Sequence, residues 1–257
     1  MKVVYFGNND VAVEVLEFLV SEGHEIVGLV VHPEGREKRA HDLIDISGVA
    51  PSRVFTADVL KTRSARDRLA SLEPEIGVSA FFGYILRRRV LDLFELGCVN
   101  IHPALLPYNR GSFPNVWSIV ENTPAGATLH LMDSGVDTGR IIAQKQIPVR
   151  SWDTGKTLYR KLERVCVELF AAAFPRFISG ELTPREQVGE GTYHRKADVV
   201  AIDEIDLDRE YTAQALIDVL RARTFPPYPG AYFLDNGKKV YLELALIPDF
   251  EVPEEER

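Results

Sequence analysis

The sequence predicts a doubly wound α/β fold, with a mostly parallel sheet and a small C-terminal helix-plus-hairpin region. Three observations predict it. Short apolar runs closed by glycine or proline alternate with stretches of helical spacing. The first of these form a strand–helix–strand unit, the connection that parallel strands require. Past Gly180 prolines and glycines become frequent, and Asp235-Asn236-Gly237 gives a hairpin signal.

In chain order, residues 3–6 are an apolar run ending at Gly7 and read as a buried strand. Asn9 or Asp10 caps the next helix, which carries Val13, Leu16 and Val20 on one face and ends at Gly23. Residues 26–31 read as the second strand. The charged stretch after His32 (Glu34, Arg36, Glu37, Lys38, Arg39) reads as a mobile loop. Residues 63–72 read as a helix, 76–80 as a buried strand and 87–93 as a short helix. Residues 98–102 are a strand that Pro103 stops. A helix follows at 115–121, then strands at 128–132 and 141–149 around a glycine-rich turn, then an amphipathic helix at 157–170. The last helix is 213–223, and strands at 232–234 and 239–246 flank the hairpin turn. The acidic tail, 251–257, reads as frayed. The expected division is an α/β domain over residues 1–190 and a smaller part over 191–257.

The composition, 46% apolar and 26% charged, excludes a disordered or fibrous chain. The two cysteines, Cys98 and Cys166, lie far apart without a CxxC pair. Neither a disulfide framework nor a metal site is expected, and each thiol reads as a small buried side chain. The opening MKVVYFGNND lacks the apolar length of a signal peptide, and acids or lysines interrupt every apolar stretch before a membrane span. A cytoplasmic protein is expected. The net charge of −8 repels phosphate backbones, so nucleic acid is not an expected partner. Arg87, Arg88 and Arg89 read as a solvated helix start.

Chemistry concentrates in Val99-Asn100-Ile101-His102-Pro103. On a strand Asn100 and His102, two apart, point to one face while Val99 and Ile101 point to the other. They stand at the C-terminal end of an apolar strand, where α/β sheets place ligands. The later stretch Asp133-Ser134-Gly135-Val136-Asp137-Thr138-Gly139 has the glycines for a tight turn that aims a carboxylate back at the same spot. Singly, each residue has an ordinary structural use as hydrogen bonder, turn former or turn cap. The acidic spacing misses an EF-hand calcium loop. The first turn, Gly7-Asn8-Asn9-Asp10, lacks G-x-G-x-x-G, which argues against a nicotinamide dehydrogenase.

Together these segments resemble a known family. Asn100-Ile101-His102-Pro103-Ala104-Leu105-Leu106-Pro107, then Arg110-Gly111, then Met132-Asp133-Ser134-Gly135-Val136-Asp137-Thr138-Gly139 are similar to the signature of folate-dependent formyltransferases. That family includes methionyl-tRNA formyltransferase and the sugar-nucleotide N-formyltransferases. The opening Tyr5-Phe6-Gly7-Asn8-Asn9-Asp10, Gly189-Glu190-Gly191-Thr192-Tyr193 and Pro227-Tyr228-Pro229-Gly230-Ala231 also resemble family segments, so the likeness covers nearly the whole chain. It implies a Rossmann-like catalytic domain and a catalytic trio of Asn100, His102 and Asp137. It also implies 10-formyltetrahydrofolate as the donor, its pterin against Phe82, Gly83, Tyr84, Ile85 and Leu86 and the turn with Asp133 and Gly135. Formyl transfer puts negative charge on the formyl oxygen, to which Asn100 and a protonated His102 donate, and the amine must lose a proton. The base that takes it is His102 or Asp137.

The resemblance also divides the acceptors. The tRNA enzyme carries an additional C-terminal domain for which this chain leaves no room, and tRNA binders normally carry a basic footprint. A nucleotide-linked amino sugar destined for surface polysaccharide is the expected acceptor. Asn8, Asn9 and Asp10 would face its sugar or diphosphate, Arg110 a phosphate, and Phe225 or Tyr228 the base. The alternatives are a methionyl-tRNA formyltransferase-like enzyme without that domain and a formyltetrahydrofolate hydrolase. A homodimer is implied by the resemblance.

Overall fold

The computed structural model describes residues 1–249; residues 250–257, and with them the tail expected to fray, lie outside the described residues. The chain forms two compact units, each assembled from three stretches. The first takes Met1–His102, Ala127–Lys145 and Arg164–Val188; the second takes Pro103–Gly126, Gln146–Glu163 and the described residues from Gly189 onward.

The first unit is built on the sheet. Its strands are β1 (Lys2–Gly7), β2 (Glu25–Val31), β3 (Val54–Thr56), β4 (Ile76–Ala80) and β5 (Cys98–His102), followed, after a short β6 (Arg110–Gly111), by β7 (Ala125–Leu131) and β8 (Ile141–Ile147). Their order is β3-β2-β1-β4-β5-β7-β8. The first five run parallel, and β7 is antiparallel to β5. The mostly parallel sheet expected from the sequence is therefore present.

Alternation along β1 explains the two faces. Val4 and Phe6 join Val27, Val30, Phe55, Phe82 and Phe94 in one core cluster, with Ala65 and Leu69 of α3 (Arg63–Ala70). Phe6 meets Phe82 and Phe94 edge-on at 5.5 and 6.1 Å. Tyr5 points the other way, and its hydroxyl donates to the Ala12 carbonyl of α1 (Asp10–Ser21) at 2.6 Å. Helices thus cover both faces, as the doubly wound reading requires. Truncating a fully buried phenylalanine such as Phe6 to alanine typically costs about 3–5 kcal/mol.

Four expectations needed adjustment. In α1, Val13 and Leu16 are buried, but Val20 is 41% exposed because Leu19 takes the inward place in the last turn. The charged stretch at 34–39 is loop as expected, but it leads into a helix that was not, α2 (Ala40–Ser47), between β2 and β3, which Gly48 ends. The helix expected at 157–170 is α6, Gly155–Ile178. Phe170 and Phe174 stack at 4.8 Å and Phe170 meets Phe18 of α1 at 6.0 Å, burial that carries the helix past the predicted end. Pro175 lies in its last turn, so the one backbone hydrogen bond it removes is close to the helix end. The short helix expected at 87–93 is α4, Arg88–Leu91.

The second unit carries β6, α5 (Pro114–Val120), β9 (Tyr193–His194), α7 (Lys196–Ala201), α8 (Ala213–Arg223) and the hairpin β10 (Tyr232–Asp235) and β11 (Lys238–Tyr241). Asn236 and Gly237, at φ 47° and 76°, make the two-residue turn. Positive φ at both is the condition for the hairpin geometry that Asp-Asn-Gly signals. The second strand stops at Tyr241 rather than reaching 246. Among the described residues no helix is long and apolar enough to cross a membrane.

Candidate active site

Four polar side chains meet on one face of the sheet in the first unit. Asn100 and His102 stand two apart on β5. Across the antiparallel pair, His130 lies opposite Asn100 and Thr128 opposite His102. Opposite residues in such a pair share a face, so the register adds the histidine to the sequence-predicted pair. His102 and His130 are 6% and 1% exposed.

The turn after β7 brings in the acid. Leu131 N–H donates to Arg140 O at 2.9 Å and closes the loop. Within it, Asp133 Oδ1 accepts from Gly135 N at 3.0 Å and from Thr138 Oγ1 at 2.6 Å. Gly139 is required here, since a Cβ would lie 1.7 Å from Leu131 O. The turn holds Asp137 at φ 54°, the left-handed region that aspartate tolerates better than most residues. From outside, Gln187 Nε2 donates to Asp137 O and Gly139 O, both at 2.8 Å.

The result is a carboxylate between two imidazoles. Asp137 Oδ2 lies 3.6 Å from His102 Nδ1 and Oδ1 lies 3.6 Å from His130 Nε2. Asn100 Nδ2 lies 3.1 Å from the same His130 nitrogen. Distances of 3.6 Å are long for hydrogen bonds, and catalytic pairs often tighten only around substrate. The three residues read from the sequence, Asn100, His102 and Asp137, thus come together. His130 and Gln187 were missed. Thr128-Leu129-His130-Leu131 does carry an alternating signal, but naming His130 needed the β5–β7 register; nothing local marked Gln187. Cys98, two residues before Asn100, is no nucleophile: burial pushes its thiol far above the usual range.

The remaining predicted residues are distributed as follows. A cavity of about 370 Å³ is lined by Phe82, Tyr84, Ile85 and Leu86, together with Leu60, Lys61, Arg66 and Arg87. A second, of about 600 Å³, is lined by Asp133, Thr138, Gly139, Met132, Leu91 and Arg88. Gly83 and Gly135 line neither, and neither lining includes the trio. His32 anchors the 82–84 loop: its ring meets Phe82 and Tyr84 edge-on at 5.4 and 4.7 Å, and Nε2 contacts the Phe82 carbonyl oxygen. In the first turn, Asn8 Oδ1 accepts from Lys38 N at 3.1 Å, Asn9 Oδ1 accepts from Ala12 N at 3.2 Å, and Asp10 pairs with Arg39. Asn9 is therefore the helix cap. In the second unit Arg110 lies on β6, paired with Tyr193, while the Phe225 and Tyr228 rings stand 5.9 Å apart, Tyr228 being 67% exposed. Among the described residues no group of three or more histidines, cysteines and acids is placed to hold a metal ion.

A doubly wound sheet with an amide, an imidazole and a carboxylate converging at a strand end is an arrangement for acyl-type transfer. The chain belongs to the formyl transferase family, which it matches over residues 1–174, and it is a formyl-transferring enzyme; residues 198–248 match the N-formyltransferase dimerization C-terminal domain. It is 33% identical over 254 residues to the methionyl-tRNA formyltransferase of Chloroflexus aurantiacus, covering 96% of this chain and 80% of that one. Among solved structures it is similar to a 4-N formyltransferase from Francisella tularensis, with a TM-score of 0.84 and 29% identity over 96% of this chain and 98% of that one. It is also similar to the formyltransferase PseJ from Anoxybacillus kamchatkensis, solved in complex with UDP-4,6-dideoxy-4-formamido-L-AltNAc and tetrahydrofolate. There the TM-score is 0.59 and the identity 26%, over 78% and 89% of the two chains.

Proposed function

We propose that the protein transfers the formyl group of 10-formyltetrahydrofolate to the amine of a nucleotide-linked amino sugar. The observation that carries this reading is the Asp137 carboxylate set 3.6 Å from His102, beside the Asn100 amide. The acceptor is supported by the near full-length likeness to the Francisella enzyme and by the sugar nucleotide and folate bound to the Anoxybacillus one. The net charge of −8 points the same way, away from tRNA.

The first cavity fits the donor's chemistry. Leu60, Phe82, Ile85 and Leu86 offer apolar cover for a flat ring, and Lys61, Arg66 and Arg87 offer cations to an anionic tail. Asp133, which lines the second cavity, and Gly83 and Gly135, which line neither, are proposed to meet the donor outside the first cavity's lining. Bound there, 10-formyltetrahydrofolate supplies an activated formyl group on nitrogen. Asn100 donates an amide N–H to the formyl oxygen as negative charge grows on it, and a protonated His102 adds a second donor; one such donor is typically worth about 3–4 kcal/mol of barrier. Asp137, on the Nδ1 side of His102, holds that ring in place. As the bond from the formyl carbon to the folate nitrogen breaks, that nitrogen takes a proton, and the proton leaving the amine passes to Asp137, or to His102 once it has given up its own. Asn8, Asn9, Asp10, Arg110, Phe225 and Tyr228 are proposed to face the acceptor.

We place the enzyme in the cytoplasm, which agrees with two buried free thiols, and its product in surface-polysaccharide assembly. We propose a homodimer through residues 198–248, where the match to a dimerization domain coincides with exposed Leu234, Val240 and Tyr241.

The test is mass spectrometry of dTDP- and UDP-linked 3- and 4-amino sugars incubated with enzyme and donor, each scanned for one added formyl unit. Methionyl-tRNA belongs in the same panel, because the 33% identity to tRNA enzymes favours it as the second reading. A donor-only arm reads formate release. Formylated tRNA with untouched sugars, or formate without any acceptor product, overturns the proposal.

A further inference from the structure

His130 lies across the sheet from Asn100, 1% exposed, and its two ring nitrogens face different partners. Nδ1 lies 3.0 Å from the Leu131 carbonyl oxygen. Nε2 lies 3.1 Å from Asn100 Nδ2 and 3.6 Å from Asp137 Oδ1. A carbonyl oxygen only accepts, so Nδ1 carries the proton. In the neutral ring Nε2 is then the acceptor. The contact at hydrogen-bond distance is the one to Asn100, and Asp137 Oδ1 lies beyond it. One N–H of the Asn100 amide is therefore committed to His130, and that bond decides which way round the amide is held.

We propose that His130 is a positioning residue for formyl transfer: by accepting one N–H of Asn100 it turns the other toward the formyl oxygen. The inference rests on the reading of Asn100 as that oxygen's donor. An Asn100 amide turned half a rotation presents Oδ1 instead, and an acceptor next to a growing negative charge opposes the reaction. The loss belongs in kcat rather than in the donor's KM, because the hydrogen bond matters most as charge develops. On this reading His130, 1% exposed, acts through Asn100.

Two measurements test this. In histidine-labelled wild-type protein, a two-bond proton–nitrogen correlation reads the ring tautomer, with the signals assigned by their loss in His130→Gln. The expected result is a neutral ring protonated at Nδ1; a ring protonated at Nε2 overturns the inference without any turnover assay. The kinetic arm uses 10-formyltetrahydrofolate and the best dTDP- or UDP-linked amino sugar of the panel. His130→Gln keeps an acceptor oxygen and is expected within about threefold of wild-type kcat, whereas His130→Phe keeps a ring without an acceptor and is expected to lose about tenfold or more, with the donor KM within about twofold. In an Asn100→Ala background the same His130→Phe change should cost less than about twofold, since there is no amide left to orient. A silent His130→Phe, or a loss that multiplies fully with that of Asn100→Ala, overturns the inference. Normal turnover in Asn100→Ala instead removes the reading of Asn100, and the tautomer measurement still reports on the hydrogen bond. Melting curves exclude unfolding, and if His130→Phe fails to fold, the tautomer read in the wild-type protein still decides the inference.

Discussion

Asp137 combines a left-handed backbone with a carboxylate against two imidazoles, and the combination makes one substitution unusually clean. Asparagine tolerates positive φ at least as well as aspartate, so Asp137→Asn removes charge without straining the turn. It is expected to lower kcat by about 10²–10⁴ while the melting temperature stays close to wild type. His102→Ala is expected to do the same; a purified His102→Ala enzyme with near-normal transfer would refute the assignment of the trio. These residues were legible because their signals are local. Strand period sends Asn100 and His102 to one face, and the glycines around Asp137 announce a turn. His130 was illegible for the complementary reason, since facing across a sheet is a property of register between strands 30 residues apart in sequence.

At the scale of elements, the first turn shows a side chain with a structural duty inside a proposed binding segment. Asn9 caps α1 through its Oδ1, a bond worth about 1 kcal/mol. Asn9→Ala should therefore lower the melting temperature by about 2–4 °C. Asn9→Ser restores a capping oxygen while losing the amide, so stability should hold and the acceptor's KM should rise several-fold; an unchanged KM takes Asn9 out of the acceptor site. The turn after β7 gives a second case. Gln187 offers its amide hydrogens to two carbonyls, so Gln187→Ala should lower kcat about tenfold, in keeping with about 1–3 kcal/mol for groups left unpaired. Gln187→Glu should be worse than alanine, because it faces carboxylate oxygens against carbonyl oxygens. Parallel kinetics and melting curves on the two variants check the order. Elements with strong apolar periodicity, such as β4, β5 and α8, fell where the sequence put them. The three-residue β3 and the two-residue β6 and β9 have too few residues to show a period, and they exist only through their neighbours.

At the scale of the whole molecule, the sheet's mostly parallel order was legible from the opening strand–helix–strand unit, whereas pairing between copies leaves no local mark in a sequence. Every residue of β11 is exposed, and Val240 and Tyr241 offer apolar surface there. Sedimentation is expected to give a mass twice that of one chain. Val240→Glu combined with Tyr241→Glu should shift it to one, because two carboxylates in an apolar interface carry a desolvation cost without a partner. A dimer indifferent to both changes places the contact elsewhere.

The interleaving of the two units sets an order on the birth of this protein. A nascent chain stalled on the ribosome near residue 150 would already carry Asn100, His102, His130 and Asp137, yet the first unit also needs Arg164–Val188. Within that last stretch come Phe170 and Phe174, which stack on each other with Phe170 against Phe18 of α1, and Gln187, which fastens the acid's turn. The reacting groups are thus synthesised well before the scaffold that holds them is complete, and a premature stop codon anywhere in that interval leaves all of them on a chain without the rest of its first unit.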